Sequence, residues 1–438
     1  MKNELRKKNG ITLIALVITI IVLLVLAGVT IAMISSQDGI LNKATSAKEA
    51  NKKASEEEYA KLEIQAALIE GEGTIDVSKL TADSDIVKAY TDNGYTYKGE
   101  GKFISKDGDE EITITKEGNI EKAAIPTDFT YKEGTVDTGL VIENENAGEF
   151  VWVPVPNAIY DGTTTITVGT YTPMARKIGD TENYQGVLYD LDQTKANQKV
   201  YDFSTYGVGT TKYREPSLVT GSDKDSYALL DTIVGTDSDA KYYSKAGNYS
   251  DAKAFGKDMQ EEYNNMVKSI VKYEGFYVGR YETGIDKIGK AVSKNASTDN
   301  NIGTSTASGA GWYGLYSEQR TMAKDNGLDS VESSMIWGSQ YDAMMIWMQK
   351  TGTTIGTGYD TTRKNAEQET GSSTTDIINN VYDLYGCHFE WTLESSYSNS
   401  RDWRGSYFDS NAAPSSRDNN FPDDSIIVPG SRLSLYIK

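Results

Sequence analysis

Cys387 and His388 are adjacent, and they are the only cysteine and the only histidine among 438 residues. A thiol beside an imidazole is the pairing of a cysteine nucleophile with its base. Neighbouring residues on a strand, however, point to opposite faces, so a strand here would keep the two side chains apart. A serine triad would have to use His388, which carries no other signature of one. An iron triad lacks its second histidine. Catalysis is therefore not expected, and binding is the chemistry left to this segment. Residues 387–426 interleave Ser, Asn and Asp with aromatics in CHF, SSYSNS, RDW, SYFDSN and SSRDNNF. Stable aromatics among adaptable polar groups suit a recognition surface. The candidate contacts are Cys387, His388, Phe389, Tyr397, Asn399, Trp403, Tyr407, Phe408, Asp409, Asn411 and Phe421.

Several elements must position that segment. Phe255, Met259, Tyr263, Met266 and Ile270 lie on one face of a helix that ends at Glu274-Gly275, and FYVGRYETG follows as a strand. A second helix is expected over about 334–350, with Trp337, Tyr341, Met344, Met345 and Met348 towards the core. Residues 286–311 read as a mobile surface loop, and 156–250 as long polar loops with short strands. Further upstream, TGLVIENENAGEFVWVPVP predicts two strands around an Asn-Ala-Gly turn. Residues 73–122 alternate apolar and polar positions with Asp-Gly and Glu-Gly turns, which predicts a small antiparallel sheet. Ile125-Pro126 is the expected linker.

Bulk properties narrow the function classes. The net charge of −19 argues against a nucleic-acid partner, since neutralising phosphates needs a basic face. A single cysteine excludes an internal disulfide framework. The 29 tyrosines against 9 phenylalanines favour amphipathic aromatics, at home in half-buried strands and in binding surfaces.

The N-terminus bears on location. MKNELRKKN ends in Gly10, and Ile11 to Gln37 contains no charged residue. As a helix, Ile11 to Ile34 would rise roughly 36 Å, enough to cross a bilayer core. Basic flanking residues put the N-terminus in the cytoplasm and the body outside. A charged helix follows over 41–71 and stops at Gly71 and Gly73. Gly10, Ile11, Thr12, Leu13 and Ile14 with the long apolar run resemble the type IV prepilin leader. That resemblance implies cleavage by a prepilin peptidase between Gly10 and Ile11, with pilin-like subunits as further partners. Ala15 departs from it, because most major pilins have a glutamate there that pairs with a neighbour's N-terminus. A plain uncleaved signal anchor is the alternative.

The C-terminal region carries a second resemblance. Gly386, Glu390, Trp391 and Thr392, then Arg404, Gly405 and Ser406, then Arg417, and finally Gly430 and Arg432 follow one another in order. This succession, with GFYVGRYETG at 275–284, resembles the C-type-lectin-like domain of formylglycine-generating and sulfatase-modifying proteins. The resemblance implies a calcium site made of Asp383, the carbonyls of Gly386 and His388, and Glu390. The family's oxidase chemistry needs a cysteine pair, which one cysteine cannot supply. Arg404, Arg417 and Arg432 are expected to clamp buried carboxylates or carbonyls. Relatives usually have asparagine at position 387, with Cys387-His388-Phe389 at the most exposed part of the turn. Retroelement-diversified proteins use this fold and randomise adenines in their last strands, and a mutated asparagine codon can yield Cys, His, Phe, Tyr, Ser or Asp.

The expected fold class is α+β. A leader (1–10) precedes a membrane and pilin-like helix (11–71), a small β domain (72–123) and a C-type-lectin-like domain (124–438). The expected role is a membrane-anchored or pilus-associated binding protein on a bacterial cell surface, with an unknown protein or glycan ligand. The alternative is a minor pseudopilin of a secretion or pilus-like apparatus.

Overall fold

The computed structural model describes residues 58–155, 158–160, 166–168, 247, 249–250, 252–299, 302–304, 311–350, 369–393, 401–406, 414, 417–420 and 429–438. Gly10, Ile11 and the apolar segment lie outside them. Among the described residues no helix is long and apolar enough to cross a membrane.

The chain is a mixed α+β protein with several antiparallel sheets. It divides into two compact units. The first ends at Glu100 and includes Lys116–Gly118; the second comprises Gly101–Thr115 and Asn119–Lys438.

In the first unit, helix α1 (58–70) buries Ala60 and Ile64, four residues apart on one face. Helix α2 (Asp85–Thr91) and strand β1 (Thr96–Gly99) follow. Strands alone were expected across 73–122, and α2 corrects this. Ile86, Val87, Ala89 and Tyr90 are buried at helical spacing, after Ser84 in an extended N-cap conformation.

The second unit begins with an antiparallel meander, β2 (Lys102–Ile104), β3 (Glu110–Ile114) and β4 (Ile120–Ala124). Next come β5 (Thr130–Glu133), β6 (Val141–Asn144) and β7 (Gly148–Pro154). A short hairpin, β8 (Ala158–Tyr160) with β9 (Ile166–Val168), lies in the long polar stretch. Helix α3 (Ala252–Tyr273) ends where its sequence predicts, and β10 (Gly275–Gly279) starts at once. Gly275 is obligatory there: a Cβ would stand 2.2 Å from the Trp152 ring.

Strands β11 (Gly284–Asp286), β12 (Ala291–Val292) and β13 (Ile302–Thr304) form a three-stranded sheet. The described part of 286–311 is therefore not simply a surface loop; Val292, Ala296 and Ile302 bury together. Helix α4 (Gly311–Asp325) has no counterpart in the sequence reading. Its buried residues, Trp312, Leu315, Tyr316, Gln319, Met322 and Ala323, have helical spacing, but Gly311, Gly314 and the aromatics are weak helix formers. The helix expected over 334–350 is in fact β14 (Val331–Met335) followed by helix α5 (Gly338–Lys350). Pairing with the last strand of the chain overrides local helical pattern in that first stretch. Trp337, Tyr341, Met344, Met345 and Met348 are fully buried.

The C-terminal segment supplies β15 (Ile377–Ile378), β16 (Val381–Tyr382), β17 (Phe389–Trp391), β18 (Arg401–Arg404), β19 (Arg417–Asn420), β20 (Pro429–Ser431) and β21 (Leu433–Ile437). The central sheet has the order β14-β21-β10-β7-β6-β5 and is antiparallel throughout. Both faces are covered. Along β7, Val151 and Val153 face the core built with α3, α4 and α5, while Phe150 and Trp152 join the core on the opposite face. A smaller sheet, β19-β18-β17-β20, holds the candidate segment, with β17 between antiparallel β18 and parallel β20.

Candidate functional site

The turn from Asp376 to Trp391 brings the chemical groups together. Asn379 (φ 47°) and Asn380 (φ 63°) adopt left-handed backbone between β15 and β16, as a tight hairpin demands. Asp383 (φ 65°) and Cys387 (φ 59°) do so as well, which is costly for side chains bearing a Cβ. Backbone donors hold the turn in place. The Asp376 Oδ2 accepts hydrogen bonds from the amides of Tyr385 and Gly386, each 2.8 Å. The Asp383 Oδ2 accepts from the Thr370 hydroxyl and the Gly371 amide, each 2.7 Å.

Cys387 and His388 are buried, 2% and 6% exposed, so the expectation of an exposed turn tip is corrected. The premise that kept them apart fails too. Cys387 is not in extended backbone, and its Sγ lies 3.1 Å from His388 Nδ1. Glu282, fully buried just beyond β10, completes the group: its Oε1 accepts from the His388 amide at 3.0 Å, and its Oε2 lies 3.1 Å from His388 Nδ1. Sequence reasoning missed Glu282, which stands 106 residues from His388. The one available signal was an acid inside the otherwise buried stretch GFYVGRYETG.

Electrostatics make this thiol a poor nucleophile. Burial raises the Cys387 pKa, and the charges of Glu282 and Asp383 raise it further, so the sulfur keeps its proton. Burial, then the neighbouring Asp383 charge, pushes Asp376 up to about 7. Burial and the Glu282 charge push Asp383 up to about 6. Arg432 is the guanidinium set among these acids. Its Nε reaches both Glu390 oxygens at 3.0 and 3.1 Å, its NH2 also pairs with Glu390, and its remaining donors reach the carbonyls of Gly279 and Tyr382 at 2.8 Å. Arg404 is buried over the Tyr341 ring, and Arg401 over Trp312 at 4.2 Å from its centroid.

No family model, no curated protein and no solved structure matches this chain.

The sequence-derived contacts fall into three groups. Cys387 and His388 are interior. Phe389 and Trp403 are half-buried on β17 and β18, with stacked rings 5.4 Å apart at an interplanar angle of 7°, and Trp391 packs behind Trp403 at 5.1 Å. Tyr397, Asn399, Tyr407, Phe408, Asp409, Asn411 and Phe421 lie outside the described residues, as does the Arg417 side chain. Of the four residues expected to hold calcium, Asp383 and Glu390 present carboxylates already engaged by Thr370, Gly371 and Arg432. Gly386 and His388 stand between them on the same turn.

Proposed function

We propose that this chain is a membrane-anchored, cell-surface binding protein in which a prepilin-type helix carries a C-type-lectin-like recognition head for a protein or glycan. The observation that supports this reading is the Phe389–Trp403 stack, a flat half-buried aromatic pair backed by fully buried Trp391. Such rings offer contact area at little entropic cost because the strands beneath them already fix their rotamers. With Cys387 and His388 interior, contact passes to Phe389, Trp403 and the tail beyond them. Calcium at Asp383, Gly386, His388 and Glu390 would have to draw Glu390 partly away from Arg432, and calcium-dependent melting tests it.

Two measurements test the reading. Cells carrying the full chain are compared with a Phe389→Ala/Trp403→Ala double variant on a glycan array and on immobilised host-surface protein; at least tenfold loss of binding is expected, and unchanged binding sinks the contact assignment. Sequencing the 3′ end of the gene in sibling isolates should show adenine-confined differences within 387–426, and a uniform tail rules out diversification. The helix at 58–70, downstream of the apolar segment, also fits a minor pseudopilin. Incorporation into filaments after cleavage at Gly10 would favour that role.

A further inference from the structure

The Glu282–Cys387–His388 group plays no part in the binding reading above, and its chemistry is unlike that of the rest of the head. The Glu282 carboxylate, the Cys387 Sγ and the His388 ring nitrogen lie within 4.8 Å of one another. All three residues are buried, at 0%, 2% and 6% exposure. Three ligands on a tetrahedral ion with bonds of ~2.1 Å stand about 3.5 Å apart. The 3.1 Å separations from Nδ1 to Sγ and to Oε2 would open by about 0.4 Å for that geometry, and the third edge, from Sγ to the carboxylate, lies within 4.8 Å.

We propose that Glu282, Cys387 and His388 form a metal site for zinc or a similar borderline-soft divalent cation. The donor set selects the ion class. Thiolate and imidazole suit zinc, whereas calcium and magnesium take oxygen ligands. This site therefore differs from the all-oxygen calcium set expected at Asp383 and Glu390, although both draw on the same turn.

Three features around the group fit a cation. Glu282, Asp376, Asp383 and Glu390 are all buried, and Arg432 is the guanidinium paired among them. A divalent ion would offset the surplus negative charge, which also opposes ionisation of the thiol. The ligands are oriented before an ion arrives: Asp376 holds the Gly386 amide, Glu282 holds the His388 amide, and left-handed backbone at Cys387 turns its sulfur towards the imidazole. Gly430 closes one side, since a Cβ there would stand 3.3 Å from His388 Cβ and 3.6 Å from Glu282 Oε2.

The binding step balances simply. The Cys387 S–H bond breaks and its proton passes to solvent while sulfur bonds the metal. His388 donates its neutral Nδ1 lone pair with the ring proton on Nε2, and Glu282 binds as the carboxylate. No oxidant or reductant is needed. Three protein ligands leave a fourth position for water or for a ligand group.

The test uses the full chain in detergent, stripped with a chelator and titrated with Co²⁺. The expected result is one ion per chain, a thiolate-to-cobalt charge-transfer band, tetrahedral d–d intensity, release of about one proton, and displacement by Zn²⁺. Cys387→Ser should lose the charge-transfer band, and His388→Asn should weaken binding at least tenfold. Because both substitutions also remove buried contacts, Glu282→Gln is the second variant, expected to bind about tenfold more weakly while still melting cooperatively without metal. Absence of the band in the wild-type chain, its survival in Cys387→Ser, or displacement by Ca²⁺ as readily as by Zn²⁺ would each overturn the proposal.

Discussion

Two buried polar clusters in the same unit treat their carboxylates differently. Between α3 and α4, Arg320 pairs with Asp258 and, through Nε at 2.8 Å, with Glu262. Tyr249 donates to Asp258 at 2.5 Å, and Tyr316 to Glu262 at 2.6 Å, so hydroxyls and guanidinium share the work. Asp258 stays an ordinary anion: burial alone would raise it, but the Arg320 and Tyr249 hydrogen bonds outweigh that and hold it below the usual carboxylate range. Around the Asp376–Trp391 turn Glu282, Asp376, Asp383 and Glu390 are buried, Arg432 pairs with Glu390, and Asp376, Asp383 and Glu390 are all raised. Burial raises Glu262 in the first cluster too, but Arg320, Ser334 and Tyr316 offset part of that, and the group works as a clamp. The second carries surplus acid, and a bound cation would balance it.

Removing the arginine should cost most where it is deepest. Arg432→Met is expected to destabilise by about 3–5 kcal/mol in urea denaturation, because it leaves the buried Glu390 without its partner and frees two carbonyls. A loss below about 1 kcal/mol would mean that Glu390 is neutral without it.

A buried acid lacking any guanidinium sharpens the point. Glu111 on β3 accepts from Thr113 at 2.6 Å while its second oxygen has no hydrogen-bond partner, and burial pushes it up to about 7. A folded pKa above the unfolded one gives stability that is fully present below about pH 4.5 and lost as pH rises towards 7. Glu111→Gln should therefore stabilise by about 3 kcal/mol above pH 7 and by nothing below pH 4.5, read from urea midpoints across pH. Equal effects at both ends would show that ionisation is not the cause.

Arg320→Met should cost less, about 2 kcal/mol, because its cluster is partly solvated and keeps the Tyr316 and Ser334 bonds to Glu262. A double-mutant cycle on Phe389 and Trp403 should return a coupling of about 1 kcal/mol, and zero coupling would mean the stack is incidental. Smallest is Asp258→Asn. Its lowered pKa gives stability present above about pH 4 and lost as pH falls through the folded value. With 37% of the side chain exposed, the change should be about 0.5 kcal/mol at most, present at neutral pH and vanishing on the acid limb.

Local pattern carried some of this a long way. The face Phe255, Met259, Met266 and Ile270, the stop at Glu274-Gly275 and the strand after it follow from spacing and from one glycine that must meet Trp152. The Met stripe of α5 was legible for the same reason. Helix α4 was not, because its glycines and aromatics hide a helical face whose partner, β14, lies on the other side of a turn. Residues 334–335 read as the start of a helix until β21, a hundred residues later, claimed them for the sheet.

The candidate site divides the same way. The sequence by itself determined that there would be one thiol and one imidazole, side by side, with acids at 383 and 390 and aromatics at 389 and 403. Only the tertiary structure decided that Cys387 adopts left-handed backbone, so that its sulfur meets the ring. Only the tertiary structure brought in Glu282, from the segment between β10 and β11 that lies against the turn. The reason is physical. Side-chain direction on a regular strand follows from its two-residue period, but a turn residue's direction depends on the amides and carboxylates that hold it, and here those come from across the fold.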